Sequence, residues 1–258
     1  MSTIEFHALL HAALHFHVLS HLDLGRDSAS LYNDNQEERS WVSSLLRAHQ
    51  NASGRLALQF LPLQTGGLEE LRHRLRHGGI QGLGDPQGRT LRAAFLAAID
   101  LEKQLFAMAW GWEQSLQSQR LARASRALGE PLTKLREALW DGTGPVPPLI
   151  VLDCAALGTH GRAVSHGDRR VVAVNLGAGM DHALLQIFHE EIHPVTDRLV
   201  MQEVEGVDRD TRAGSEGYAL HQRLEEAAVA RGREVIREHA PDLADGYEAW
   251  AGRFGMAV

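Results

Sequence analysis

The first 140 residues carry apolar side chains mainly at helical spacing. Such residues recur every three or four positions, which is typical of helices with one buried face. Gly78-Gly79 gives one helix a clear end, and Pro131 suits the first turn of another. The predicted helices cover residues 3–24, 36–50, 68–77, 90–128 and 131–140.

The pattern changes after DGTGPVPP at 141–148, the best candidate for a linker. Short apolar runs at 149–152, 162–166 and 169–176 predict strands, the last two joined by a hairpin turn at 165–168. Helices follow again. The expected fold is α+β and mostly helical, with a helical N-terminal block (1–142) and a second part (147–258) that together form one compact unit. The later predicted helices cover residues 182–193, 195–204, 214–238 and 242–254.

Composition excludes several classes of protein. The 258 residues are 44% hydrophobic and 23% charged, as in an ordinary folded protein. The net charge of −7 gives no basic footprint for nucleic acid, and no apolar run is long enough to predict a membrane span. Cys154 is alone, so no disulfide is expected within the chain. Glu5 and several histidines interrupt the N-terminal apolar segment, unlike a secretory signal, so we expect a cytoplasmic protein.

The strongest chemical signal is HEEIH, residues 189–193, on a predicted helix. His189 and His193 are four residues apart and therefore lie on one face, where both imidazoles can bind a single Zn²⁺. Glu190 projects beside that face and can take a proton from a water molecule on the metal. The apolar neighbours predict a largely buried helix, in which unpaired histidines would be costly.

A third ligand must come from elsewhere, because the residues after His193 do not continue the metzincin motif. If Glu216 and Glu225 share one helix, Glu216 heads a mostly apolar stripe and Glu225 lies among polar residues. This projection favours Glu216. The candidate glutamates are Glu203, Glu205, Glu216, Glu225 and Glu226.

The pair HEEIH and SEGYA resembles the gluzincins, HExxH metallopeptidases with a glutamate third ligand on a following helix. The resemblance covers about residues 149–230. It implies one Zn²⁺ per chain and a small zincin-like sheet, antiparallel or mixed, packed on the HExxH helix. Glu190 would be the general base. The metal ligands that it implies are His189, His193 and Glu216.

The resemblance also implies an edge strand that pairs with an extended substrate. The residues assigned to it are Val172, Ala173, Val174 and Asn175. Tyr218 or His221 would stabilise the oxyanion, with His166 and His239 as further possibilities. Some gluzincins carry an acidic partner for a ligand histidine where this chain has Leu220. The candidates to replace it are Asp153, Asp181 and Asp197.

Two other features of the sequence lead to expectations. Pro194 directly follows the motif, so the helix is expected to end or kink there. The N-terminal histidines at positions 7, 11, 15, 17 and 21 have helical spacing but no carboxylate within the same helix. We interpret them as structural residues of a partly buried helix.

The sequence therefore predicts a zinc-dependent hydrolase, a peptidase or amidase, that acts on a peptide or an amide-containing small molecule. Neither a nucleic acid nor a membrane is expected as a partner, and the oligomeric state is left open. The alternative is a metal-binding protein without hydrolytic activity, in a binding or resistance role, or an Fe(II) enzyme that uses the same His₂-carboxylate set.

Overall fold

The protein is mostly helical and contains one four-stranded mixed sheet, which confirms the α+β prediction. The computed structural model describes residues 3–22, 40–49, 55–78, 80, 83–202 and 216–253. Among these residues, none of the helices combines the length and apolarity that crossing a bilayer requires.

The sheet joins the start of the sequence to the segment 149–174. Its strands lie in the order β1-β2-β4-β3, with β1, β2 and β4 parallel and β3 antiparallel to β4. The predicted helix over 3–24 is wrong at its start, because residues 4–7 pair with β2, far along the chain. The strands are β1 (Ile4–His7), β2 (Leu149–Asp153), β3 (Gly161–His166) and β4 (Arg169–Val174).

Seven α-helices surround the sheet within the described residues. Two helices are longer than predicted. One continues through Pro131, where a new helix was expected to begin, and the other continues through Pro194, where the helix was expected to end or kink. The first of these begins where the Asp85 side chain accepts a hydrogen bond from the Gly88 N–H at 2.6 Å. The helices are α1 (Leu10–Leu19), α2 (Ser40–Arg47), α3 (Leu68–His77), α4 (Pro86–Trp140), α5 (Met180–Gln202), α6 (Glu216–His239) and α7 (Ala244–Arg253).

The sheet separates two hydrophobic cores. Val171 and Ala173 of β4 face α1, α3 and the first half of α4, whereas Val172 and Val174 face the second half of α4 and helices α5 to α7. Strand β4 is therefore buried on both faces, as central strands are. Because β1 and α4 contribute to the same sheet and cores as residues 149–253, the N-terminal block and the second part pack as one body.

The N-terminal histidines hold a 3₁₀ segment, Arg55–Gln64, against α1. His15 donates from Nε2 to the Leu58 carbonyl at 2.7 Å, and His11 donates to the Thr65 carbonyl at 3.0 Å. Burial lowers the pKa of His15 to about 3, although its bond to Leu58 opposes the shift. A neutral imidazole that donates to a buried carbonyl has a structural role, and both rings are more deeply buried than expected.

Gly232 allows α6 to pack closely on α5 and α7. A Cβ at this position would collide with the Tyr247 hydroxyl and lie 2.9 Å from Ile192 Cδ1. We expect Gly232→Ala to lower the free energy of unfolding by about 1–3 kcal/mol, measured by urea denaturation. Gly246→Ala is the matched control, because that exposed helical position has open space and alanine favours helix. Equal stability of the two variants would contradict this account of the packing.

Candidate metal centre

Three potential metal ligands converge between α5 and α6. The Nε2 atoms of His189 and His193 lie 3.2 Å apart. Glu225 Oε2 is 3.0 Å from His189 Nε2, and Glu225 Oε1 is 3.6 Å from His193 Nε2. Their ligand atoms all lie within 4.8 Å of one another, and this is the only such group found among the described residues.

The buried face of α6 explains why Glu225 reaches the histidines. Ala228, Val229, Gly232 and Ile236 are all buried against neighbouring helices. At 100° per residue, Glu225 lies at the centre of the face that these residues form. α5 supplies the facing histidines one turn apart, while Phe188 and Ile192 of the same helix enter the core.

Glu216 lies away from this centre. It is the exposed first residue of α6, nine positions before Glu225, which corresponds to about 13 Å along a helix. The prediction that placed it with the histidines considered only the first turns of the helix, whereas the later turns determine the buried face. The structure thus brings Glu225, and not Glu216, to the pair. Glu226 is exposed, and Glu203 and Glu205 lie outside the described residues.

The two histidines and Glu225 change one another's protonation. Burial raises the pKa of Glu225, but the hydrogen bond from His189 and the nearby His193 outweigh it and lower the pKa to about 2. Burial lowers the pKa of His193, but its bond to Asp197 and the charge of Glu225 outweigh that effect and raise the pKa to about 9. Without a metal, the centre is therefore an ionised carboxylate beside a protonated imidazole.

The sequence left three aspartates as possible acidic partners of a ligand histidine. In the structure, Asp197 is the one that bonds to such a histidine, His193. Its Oδ1 accepts a hydrogen bond from His193 Nδ1 at 3.0 Å, one helical turn away. This bond directs Nε2 of the ring toward His189 and Glu225. Asp153 instead pairs with Arg120 at 3.0 Å, and Asp181 is exposed near the start of α5.

His189 is held by packing on its other side. The Trp250 ring, from α7, lies with its centroid 5.0 Å from the His189 ring, and Tyr247 stacks on Trp250. His189 Nδ1 is buried and has no hydrogen-bond partner among the described residues. The sequence did not indicate this aromatic wall, because α7 has no motif that connects it with HEEIH.

Glu190 lies beside the three ligands and faces the start of β3. Its Oε1 accepts a hydrogen bond from Gln186 Nε2 at 3.2 Å. A Cβ on Gly161, the first residue of β3, would lie 2.7 Å from the same oxygen. A larger residue at 161 would therefore have to shift the ends of the Glu190 and Gln186 side chains. The charge of Glu190 is among the causes that raise the pKa of His193, and the carboxylate is not part of the ligand group.

The predicted substrate strand is not at an edge of the sheet. Val172, Ala173 and Val174 belong to β4, whose backbone pairs with β2 on one side and with β3 on the other. Asn175 follows β4, and its side chain accepts a bond from the Gly177 N–H. The assignment to these residues is wrong, because order along the chain does not give order in the sheet. The edge strand beside Glu190 is β3.

The four candidates for oxyanion stabilisation lie in different parts of the fold. His221 Nδ1 is 3.7 Å from Glu225 Oε1, on the outer side of the carboxylate. Tyr218 lies half-buried in the first turn of α6. His166 is exposed at the end of β3, and His239, the last residue of α6, lies near Glu238. His221 thus contacts the ligand group through Glu225.

Comparisons of the chain with family models, curated proteins and solved structures found no match. The likeness to gluzincins therefore depends on the HEEIH and SEGYA motifs of the sequence.

Proposed function

We propose that this protein is a zinc-dependent hydrolase that cleaves a peptide or amide bond. The observation that supports this function best is the convergence of His189, His193 and Glu225 beside Glu190. A catalytic zinc site needs three ligand side chains and, for this chemistry, a neighbouring carboxylate that does not bind the metal. A purely structural zinc site usually uses four protein ligands.

The donor atoms fit zinc. Two imidazole nitrogens and one carboxylate form the His₂Glu set of catalytic zinc sites, and the fourth position stays open for water or substrate. A bound Zn²⁺ would supply Lewis acidity, which polarises a carbonyl group and lowers the pKa of water. Because His193 carries a proton when no metal is bound, metal binding at neutral pH should release it.

The protein's own groups would move the protons. Glu190 accepts a proton from the attacking water and then delivers it to the leaving amine. The hydrogen bond from Gln186 to Oε1 of Glu190 holds the carboxylate in position. Asp197 keeps the Nδ1 proton on His193 and leaves Nε2 to face the centre.

In the zincin-like arrangement that we propose, an extended substrate would lie along β3. This strand is an edge of the sheet, antiparallel to β4, and begins next to Glu190. Arg162 donates hydrogen bonds to the Gly161 carbonyl and to Gln59 of the 3₁₀ segment. A substrate that pairs with this end of β3 must therefore displace the Arg162 side chain.

Removal of the metal tests the proposed function. We expect about one zinc per chain by elemental analysis and hydrolysis within a peptide library that chelation abolishes and added Zn²⁺ restores. Thermal melting by circular dichroism should stay cooperative after chelation, because two large apolar cores do not depend on the metal. Stoichiometric iron, or zinc without hydrolysis of any peptide or amide, would contradict the proposed function.

A further inference from the structure

Helix α5 lacks one internal hydrogen bond at the general base. In an α-helix, the carbonyl of Glu190 accepts from the N–H four residues later, which here belongs to Pro194. Proline has no N–H, and its ring crowds the carbonyl of the residue four positions earlier. The helix nevertheless continues from Met180 to Gln202. The Glu190 carbonyl therefore needs a donor from outside the helix.

Arg170 of β4 supplies this donor. Its Nη2 donates to the Glu190 carbonyl at 2.8 Å. The same guanidinium donates from Nε to Glu191 Oε1 at 3.1 Å and from Nη1 to Ser165 Oγ at 3.0 Å. Arg170 is only 6% exposed, so water does not replace these bonds easily. One side chain thus joins the central strand of the sheet to the middle of HEEIH.

A second arginine, Arg136, also holds Glu191. Arg136 of α4 donates from Nε to Glu191 Oε2 at 2.7 Å and from Nη2 to the Pro147 carbonyl at 2.6 Å. Glu191 is fully buried between the two cations. It projects from α5 away from His189 and His193, since residues two apart on a helix do not share a face. Arg136 and Arg170 therefore share Glu191 as a partner, whereas Arg170 also bonds to Ser165 and to the Glu190 carbonyl and Arg136 to the Pro147 carbonyl.

We propose that Arg170 is a positioning residue that replaces the helix bond removed by Pro194 and so fixes the turn of α5 that carries Glu190. The direction of the Glu190 side chain depends on its backbone, and this backbone lies between the two histidine ligands. The assignment of Glu190 as the general base rests on the proposed function. The link between Arg170 and Pro194 does not.

A double-mutant cycle tests the link. Pro194→Ala restores an N–H that can donate to the Glu190 carbonyl, so it should make Arg170 less necessary. Charge-assisted hydrogen bonds contribute enough that we expect Arg170→Met to increase hydrogen exchange in α5 peptides about tenfold or more. Peptides from α7 should change much less. In the Pro194→Ala background, the effect of Arg170→Met on α5 should be several-fold smaller.

Steady-state kinetics test whether Arg170 positions Glu190 for catalysis. With zinc saturating, Arg170→Met should lower kcat about tenfold or more with little change in KM, and Pro194→Ala should restore part of the loss. If Arg170→Met does not fold, Arg170→Lys is the second variant. It keeps the charge near Glu191 but lacks the planar guanidinium whose three nitrogens donate to three different acceptors. A kcat equal to that of the wild type in the zinc-loaded, folded variant would overturn the positioning role.

Arg136→Met is the matched control. It removes the other cation beside Glu191, so it should disturb folding without being rescued by Pro194→Ala. Equal rescue of both arginine variants, or no rescue of either, would overturn the inference. If the wild type hydrolyses nothing, the proposed function fails, and the exchange cycle still decides whether Arg170 holds the Glu190 carbonyl.

Discussion

Replacing Glu190 by glutamine is expected to keep zinc binding and to lower kcat by about 10²–10⁴-fold. Glu190 lies beside the ligand cluster without belonging to it, and its Oε1 already accepts a bond from Gln186. Glutamine has nearly the same size, so the packing against Gly161 should persist. What is lost is the ability to accept and return a proton.

The experiment compares zinc content and steady-state kinetics of Glu190→Gln with those of Glu226→Gln. Glu226 is exposed on α6, next in sequence to the ligand carboxylate but pointing to solvent. Its change should alter neither quantity. Hydrolysis by Glu190→Gln at a rate close to that of the wild type would show that another group acts as the base.

Glu225→Ala is expected to weaken zinc binding about 100-fold or more, whereas Glu216→Ala should leave it nearly unchanged. Loss of groups that only orient a ligand already costs about 10–100-fold in metal affinity, and Glu225 contacts both histidines directly. Glu216 is exposed at the start of the same helix. The two variants therefore each remove one glutamate carboxylate from the same helix, at one place that contacts the histidines and at one that does not.

Zinc titration by competition with a chromophoric chelator measures both affinities. The melting curves of the two apo variants provide the control for folding, because Glu225 also pairs with a protonated His193 when no metal is bound. The reverse order of affinities would restore Glu216 as the ligand, and with it the SEGYA part of the likeness to gluzincins.

Local patterns in the sequence determined most elements and every residue of the candidate centre except Glu225. Helical periodicity gave α2, α3, α6 and α7 in their places, and the turn at 165–168 gave the hairpin of β3 and β4. His189, Glu190 and His193 followed from spacing alone, since a helix fixes the relation between residues one turn apart. Such features depend on neighbours within a few residues, which a sequence displays directly.

Features that depend on distant contacts were decided only by the tertiary structure. Residues 4–7 form a strand because β2 offers them an edge, and β3 rather than β4 lies outermost because β2 takes the other side of β4. Pro194 does not end α5, because packing and the guanidinium of Arg170 compensate for the missing bond.

The role of Glu225 also depended on distant contacts, although the question concerned the faces of a single helix. The first turns of α6 suggested that Glu225 faces solvent. Ala228, Val229 and Gly232, later in the helix, are buried on the same side as Glu225, and this side faces α5. Which face of a helix is buried depends on the surface against which the whole helix packs. The sequence by itself therefore determined the histidine pair and the neighbouring Glu190, and only the packing of α6 on α5 brought Glu225 to the two histidines.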